Sequence, residues 1–460
     1  MRFHGATAKA AALLRGAVTR AAGLEAMPTR TVPVERSILV IGGGIAGLQC
    51  ASDLAAQGER VYVVEREKQW GGRLRRQSPG QPGHELVRRL VEHLRAYKAT
   101  LLGETTVTAI GGATGNYEVT LHKGERERSI RVGAVVLATG ARLYRPIGEF
   151  GYGQFANVLT NAEWERKMAA GKPNGAGKPI RHAAFIQCVG SRQGAAGCSR
   201  YCCAVALRQA VALAREGVSV TVFHRDLNVE REDAEQSYRE AVQLGVRFVR
   251  YDVDAPPVVT GGKRVEGIEM PGSEAEPCDL VILSVGMVPR EDPSGGLLDV
   301  FRLSGLLQTY GETSGATGLG QTESPALFLC GTVQAPQGIR DTLIHGSAVA
   351  AKVAGLMAKG EIAVAPIVAS VDALRCRACG LCERICEFGA IRVRPSAGSA
   401  ATAEVDELLC RGCGACAAHC PSGAVAAGNF AGDQLRDLLR SLLIDAHRRD
   451  LEDRVGMVNV

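Results

Sequence analysis

The sequence predicts an α/β chain: two Rossmann-like domains followed by a small α+β domain built by internal duplication. Three observations carry that prediction. A strand-like run, Ser37–Ile41, leads straight into Gly42-Gly43-Gly44-Ile45-Ala46-Gly47 and a helical stretch. A second strand–helix–strand pattern occupies residues 182–224. Eight of the fifteen cysteines then fall in two runs near the C-terminus, Cys376-x-x-Cys379-x-x-Cys382-x-x-x-Cys386 and Cys410-x-x-Cys413-x-x-Cys416-x-x-x-Cys420-Pro421. Each cysteine of the first run recurs 34 positions later, as do Val371-Asp372 and Gly389-Ala390. Such a repeat packs its two copies into one unit.

Composition bounds the rest. The chain has 460 residues, 46% hydrophobic and 22% charged, enough for about three domains with a sizeable core. The net charge of +6 is spread along the chain, and aromatics are 5%. That pattern excludes a nucleic-acid-binding stripe and a basic membrane patch. No stretch is long and apolar enough to span a membrane as a helix. Clustered thiols need a reducing environment, so a cytoplasmic location is expected.

Residues 1–35 form the first expected element, an N-terminal helical arm rich in Ala, Leu and Arg. Arg15 and Arg20 interrupt its apolar run, which argues against a secretory signal, although a transit peptide would share its shortage of acids. Residues 36–150 begin a dinucleotide-binding domain. The strand Ser37–Ile41, a helix Leu48–Gln57 and a strand Arg60–Val64 make one βαβ unit. In it Gly42 permits the tight turn, Gly44 lets a pyrophosphate approach the backbone, and Gly47 lets helix and strand pack closely. The pyrophosphate would sit on the helix N-terminus. Glu65, 23 residues after Gly42, is placed to accept from a ribose hydroxyl. Taken alone it would be an ordinary strand-end carboxylate.

Three further segments resemble flavoproteins of the glutathione/thioredoxin-reductase type: Gly71-Gly72-Arg73, Ala134–Gly140 ending in Ala-Thr-Gly, and Pro325–Thr332. The resemblance implies FAD rather than NAD at the first turn, with Gly72, Arg73, Thr139, Gly140, Gly331 and Thr332 joining Gly42, Gly44, Gly47 and Glu65 as cofactor-binding residues. Thr332 stands where the family usually has aspartate. The second Rossmann-like domain, 151–290, has a strand His182–Val189, a helix from about Arg200 to Glu216 and a strand Val218–His224. Its turn lacks the glycine fingerprint and carries Cys188, Cys198, Cys202 and Cys203 instead, so NAD(P)H binding there is not expected. Residues 291–365 return to the FAD-binding domain.

Residues 366–428 read as a ferredoxin domain for two [4Fe–4S] clusters. Three thiolates two residues apart wrap three corners of a cube, and the fourth cysteine of each run ligates the other cube. The assignment is Cys376, Cys379, Cys382 and Cys420 for one cluster, and Cys410, Cys413, Cys416 and Cys386 for the second. Zinc sites usually pair CxxC units instead. Glu387 takes the place of the proline that usually follows the fourth cysteine. Residues 429–460 form an expected C-terminal helix, with Leu435, Leu438, Leu439, Leu442 and Leu443 as an apolar stripe for core packing or a partner.

Cys50, Cys278 and Cys330 are expected to be isolated small hydrophobes. For Cys188, Cys198, Cys202 and Cys203 the residues leave three readings: a third [4Fe–4S] cluster, a redox dithiol (Cys202/Cys203 or Cys198/Cys202), or inert thiols. The whole set resembles the A subunit of heterodisulfide reductase. The resemblance is carried by Val40–Gly47, Phe185–Arg192, Cys198-Ser-Arg-Tyr-Cys202-Cys203, Gln337–Thr342 and the two cysteine runs. It implies FAD, several [4Fe–4S] clusters including one on Cys188, Cys198, Cys202 and Cys203, and a flavoprotein that passes electrons to partner subunits of a redox complex. Full-length family members bifurcate electron pairs at the flavin. This chain lacks the cysteine-rich insertion expected after Gly71-Gly72-Arg73, since residues 74–98 contain no cysteine.

Overall fold

The computed structural model describes residues 6–24, 26–27, 30–76, 82–171, 179–193, 197–230, 232–289, 319–322, 324–363, 367–396, 399–430, 434–436 and 438–440. The chain forms two compact units, Val34–Gly360 and Met1–Pro33 with Glu361–Val460.

Two parallel sheets organise the larger unit. In the first, the strands run in the order Leu327–Leu329, Ala134–Leu137, Ile38–Ile41, Val61–Glu65 and Thr100–Gly103. Its central strands are short unbroken apolar runs, buried throughout, as expected where both faces are covered. The helices Ile45–Ala56 and Ile339–Lys359 pack on each other. A three-stranded antiparallel sheet, Thr106–Ala113, Asn116–Lys123 and Arg126–Val132, closes one face through Val119, Leu121 and Val132 against Leu39, Val135 and Leu137. The first helix starts at Ile45, three residues before the predicted Leu48, because the glycine turn supplies its first turn with Gly44 as N-cap.

The second parallel sheet has the order Val158–Thr160, Leu280–Val285, His182–Val189, Ser219–His224 and Arg247–Arg250. The helix Cys202–Arg215 covers one face through Ala206, Ala210 and Leu213. The segments that cross between the halves, Ala141–Leu143 and Met287–Pro289, lie side by side as an antiparallel ribbon. The boundary predicted at residue 291 falls outside the described residues.

In the smaller unit the helix Ala6–Ala22 is followed by a strand Thr31–Pro33, which pairs antiparallel with Glu361–Ala363. Arg20 stacks its guanidinium over Phe430 at 4.4 Å, and Arg30 pairs with Glu407 at 2.8 Å. The duplicated region forms two antiparallel pairs, Ala369–Val371 with Val425–Ala427 and Ile391–Ser396 with Ser399–Val405. Of the predicted C-terminal stripe, Leu442 and Leu443 lie outside the described residues. Leu435 and Leu439 are 38% and 54% exposed, so core packing does not account for them.

Candidate redox sites

Close packing fixes the glycine turn everywhere except where a ligand would come. A Cβ on Gly42 would meet the Ala138 carbonyl at 2.4 Å, and one on Gly47 would meet the Gly42 carbonyl at 2.0 Å. Gly42 also holds φ at +116°, a region open to glycine. A Cβ on Gly44 would meet nothing within 4 Å. It would enter the open space in front of the helix N-terminus, so Gly44 is a cradle that a side chain would fill. Gly71 pairs with Gly44 as an isolated parallel bridge, and Gly72 packs on the Gly44 backbone. Glu65 is 9% exposed. Its two oxygens accept from the Gly43 N–H at 2.8 Å and the Glu67 N–H at 3.0 Å.

The later segments arrive beside this turn. Thr139 follows the Ala138 carbonyl that closes on Gly42, and the Thr332 hydroxyl lies 3.6 Å from where a Gly140 Cβ would stand. The N–H of Gly331 donates to Nδ1 of His345 at 3.2 Å, and the Gln337 amide lies 3.2 Å from the same nitrogen. His345 is 5% exposed, and burial holds its pKa below the ordinary value. No sequence motif singles out His345. Only its period on the helix Ile339–Lys359 could have placed it on the buried face.

The ferredoxin-like repeats exchange their ends. The Asp372 N–H donates to the Ala424 carbonyl at 2.8 Å, and the Asp406 N–H donates to the Ala390 carbonyl at 2.6 Å. Each exchange carries the last cysteine of one repeat to the loop of the other. One small cavity is lined by Cys376, Cys379, Cys382 and Cys420. A second is lined by Cys386, Cys410, Cys413 and Cys416. Gly380 and Gly414, both in the left-handed region at φ 71° and 77°, start the matching helices Leu381–Ile385 and Ala415–Ala418. Backbone N–H groups donate to three sulfurs: Ala378 to Cys376 at 3.5 Å, Ala390 to Cys386 at 3.3 Å and Ala369 to Cys410 at 3.2 Å. Burial pushes the Cys382 and Cys416 thiols up. Among the described residues no three His, Cys, Asp or Glu side chains converge closely enough to share a single ion.

The third group lies at the C-terminal end of the strand His182–Val189. Cys188, Cys202 and Cys203 are buried and Cys198 is half-buried. Cys188 and Cys202 each interact electrostatically with all three other thiols or thiolates. The loop between them is held in unusual conformations, with Cys188, Arg192 and Arg200 at φ 62°, 57° and 58°, positions that cluster at functional sites. The helix starts only at Cys202. Cys198 precedes it in irregular chain, so Cys198 and Cys202 do not share a helix face. The adjacent Cys202 and Cys203 thiols perturb each other, raising Cys202 and drawing Cys203 down to about 7.

Several neighbours of these thiols were not legible beforehand. Arg192 lies near enough to Cys188 for its charge to favour the thiolate, and it pairs with Asp226 at 2.7 Å. Tyr201 donates to the Val285 carbonyl at 2.8 Å, and its ring lies 5.7 Å from the Arg73 guanidinium. Arg73 thereby links the Gly71–Gly72 segment to the start of the cysteine-bearing helix. Tyr144 fills the space beside Gly190, where a Cβ would approach its ring to 2.1 Å. Cys50 and Cys330 correct the expectation of isolated thiols: they are neighbours inside the first domain, Cys330 raising the charge cost of Cys50, with the Cys330 thiol donating to the Ala46 carbonyl at 3.6 Å. Cys278 is buried alone, with its thiol donating to the Leu280 carbonyl at 3.3 Å and pushed up to about 11 by burial.

Residues 36–179 match the pyridine nucleotide-disulphide oxidoreductase family, and residues 375–424 match the 4Fe-4S dicluster domain. The matched segments contain the Gly42–Gly47 turn and all eight cysteines of the repeat, and they support FAD and iron–sulfur clusters as cofactors. Among solved structures, a thioredoxin reductase from Lactococcus lactis aligns at 19% identity over 71% of this chain and 100% of its own, with a TM-score of 0.47. The A subunit of the H(2):CoB-CoM heterodisulfide,ferredoxin reductase of Methanothermobacter marburgensis is 29% identical over 85% of this chain and 74% of its own. The second of two iron-sulfur A subunits of the CoB--CoM heterodisulfide reductase of Methanopyrus kandleri is 31% identical over 84% of this chain and 74% of its own. With these relatives and both parts of the cysteine repeat in place, the chain is an oxidoreductase and belongs to the family of heterodisulfide reductase A subunits.

Proposed function

We propose that this chain is the electron-transfer component of a heterodisulfide-reductase-like complex, with one FAD and three [4Fe–4S] clusters. Bound FAD supplies two-electron chemistry, and each cluster supplies one-electron chemistry. Gly42, Gly44 and Gly47 admit the cofactor's pyrophosphate, Glu65 orients a ribose, and Gly72, Arg73, Thr139, Gly140, Gly331 and Thr332 frame the remainder. Cys376, Cys379, Cys382 and Cys420 hold one cluster, and Cys386, Cys410, Cys413 and Cys416 hold another. Cys188, Cys198, Cys202 and Cys203 hold the third. The relatives are parts of multi-chain enzymes, so partner subunits complete the path.

The observation that carries the reading is the pair of cavities, each lined by three cysteines of one repeat and one of the other. The mutual perturbation of the adjacent Cys202 and Cys203 thiols favours a second reading, a stand-alone disulfide reductase with a dithiol at that position. Vicinal cysteines make a strained disulfide, and four gathered thiols suit a metal cluster better. Anaerobically purified protein should contain about twelve irons per chain, at four per cluster, and one FAD. About eight irons with two titratable thiols would replace the third cluster by the dithiol.

A further inference from the structure

The internal duplication supplies its own control for the surface round each four-cysteine cavity. Backbone geometry is matched: the Leu374 and Leu408 N–H groups donate to Asp372 and Asp406 at 2.9 and 3.0 Å. The Arg384 and Ala418 N–H groups donate to Gly380 and Gly414 at 3.1 and 3.0 Å. The side chains differ at Arg375 and Arg384 and in the burial of Leu374, while Arg377 has its match in Arg411. In the second repeat Leu408 and Leu409 are partly buried and pack against the core of the duplicated domain. In the first repeat Leu374 is 99% exposed, and Arg375 replaces the second leucine. Arg384 stands where the second repeat has Ala418.

The first loop is therefore apolar at its tip and basic around it. Arg375 and Arg377 flank Cys376, Arg384 follows Cys382 by two residues, and all three are exposed. None of the three guanidinium groups makes an ion pair or side-chain hydrogen bond among the described residues. The nearby carboxylates do not pair with them. Asp372 accepts from Leu374, and Glu383 accepts from the Val393 N–H at 3.2 Å. Cys379 and its counterpart Cys413 are both exposed, but Cys376 and Cys382 of the first loop are half-buried whereas their counterparts Cys410 and Cys416 are 8% exposed.

Folding accounts for none of these features. An isolated leucine that is fully exposed gains nothing in the free chain, and unpaired like charges repel. Both become favourable against an acidic surface with an apolar spot, which positive charge also steers into place. We propose that the loop Leu374–Arg384 is the docking face for a small acidic electron-transfer protein. That protein exchanges one electron at a time with the cluster held by Cys376, Cys379, Cys382 and Cys420, one centre being oxidised as the other is reduced, with no bond made or broken. This rests on the cluster assignment above. It adds which cluster meets the partner and what charge the partner must carry. An apolar spot set in a charged ring fits a transient encounter with a small interface.

The test uses the whole chain, purified anaerobically with its cofactors. An acidic two-[4Fe–4S] ferredoxin is the probe, and the basic cytochrome c of mitochondria is the control. Wild-type protein should bind the ferredoxin in a salt-dependent way and leave the cytochrome alone. Binding should weaken severalfold as the Debye length falls from about 10 Å to about 3 Å. The variant Arg375→Glu/Arg377→Glu/Arg384→Glu should lose about tenfold or more in association rate with unchanged iron and FAD. Leu374→Ser should raise the dissociation rate with little effect on association. Ferredoxin binding by the triple variant equal to wild type, at normal iron content, overturns the docking face alone. Wild-type protein without iron in the duplicated domain overturns the cluster assignment and this proposal together. Equal binding of the basic cytochrome overturns the charge requirement on the partner.

Discussion

Gly44 offers a perturbation that separates cofactor binding from folding. Its backbone sits at φ −75° and ψ 176°, which any residue adopts, and a Cβ there meets no atom within 4 Å. The Cβ of Gly44→Val therefore meets no atom of the chain. Its cost to the fold is that of a poorer N-cap, about 1 kcal/mol. The branched side chain does fill the space through which the backbone N–H groups would reach a pyrophosphate. Hydrogen bonds to a charged group contribute about 1.5–3 kcal/mol each. Losing two of them removes about 3–6 kcal/mol, or roughly two to four decades in affinity. Gly47→Ala is the opposite case, since its Cβ would lie 2.0 Å from the Gly42 carbonyl. It should unsettle the fold itself. The assay is FAD per chain, measured by absorbance after denaturation, together with the thermal midpoint of the flavin-free protein. Gly44→Val should be flavin-free with a midpoint close to that of wild-type apoprotein, and Gly47→Ala should be low in both. A full complement of FAD in Gly44→Val would refute the placement of the cofactor at this turn.

Changing Cys202 and Cys203 together to serine should remove about four irons per chain and leave the signals of the duplicated domain in place. Unchanged iron would mean that no cluster sits at that turn. NADH or NADPH should not bleach the flavin rapidly under anaerobic conditions, because Tyr144 occupies the space beside Gly190 and no glycine fingerprint follows; fast bleaching by either in a stopped-flow experiment would overturn this. His345 is buried neutral, with its pKa held below the ordinary value of about 6.5. The unfolded chain then binds the extra proton first, so stability should fall as pH drops through the unfolded value. Thermal midpoints between about pH 7.5 and 5.5 should fall less steeply in His345→Gln than in wild type, and equal slopes would remove His345 from the account.

Local sequence determined the residue types that meet the chemistry. A glycine turn between an apolar strand and a helix is legible because each step depends on neighbours within a few residues. The same holds for the duplicated cysteine runs, whose spacing matches the loops they make. The strand His182–Val189 ran as predicted, residue for residue, because an apolar β run between turn signals has few other solutions. Helix starts were less legible. At Cys202 the preceding loop enters left-handed conformations that propensity alone does not anticipate.

Pairings between distant residues were decided by the tertiary structure. The meeting of Cys50 with Cys330 follows from a helix and a strand end brought together across 280 residues of chain, and neither cysteine has a local pattern that announces it. The approach of Arg73 to Tyr201, and of His345 to Gly331, has the same origin. In the cysteine repeats, both copies of the sequence carry a leucine two positions before the first cysteine. Only packing made Leu408 part of a core and left Leu374 in water, because burial depends on what the rest of the chain places opposite a side chain.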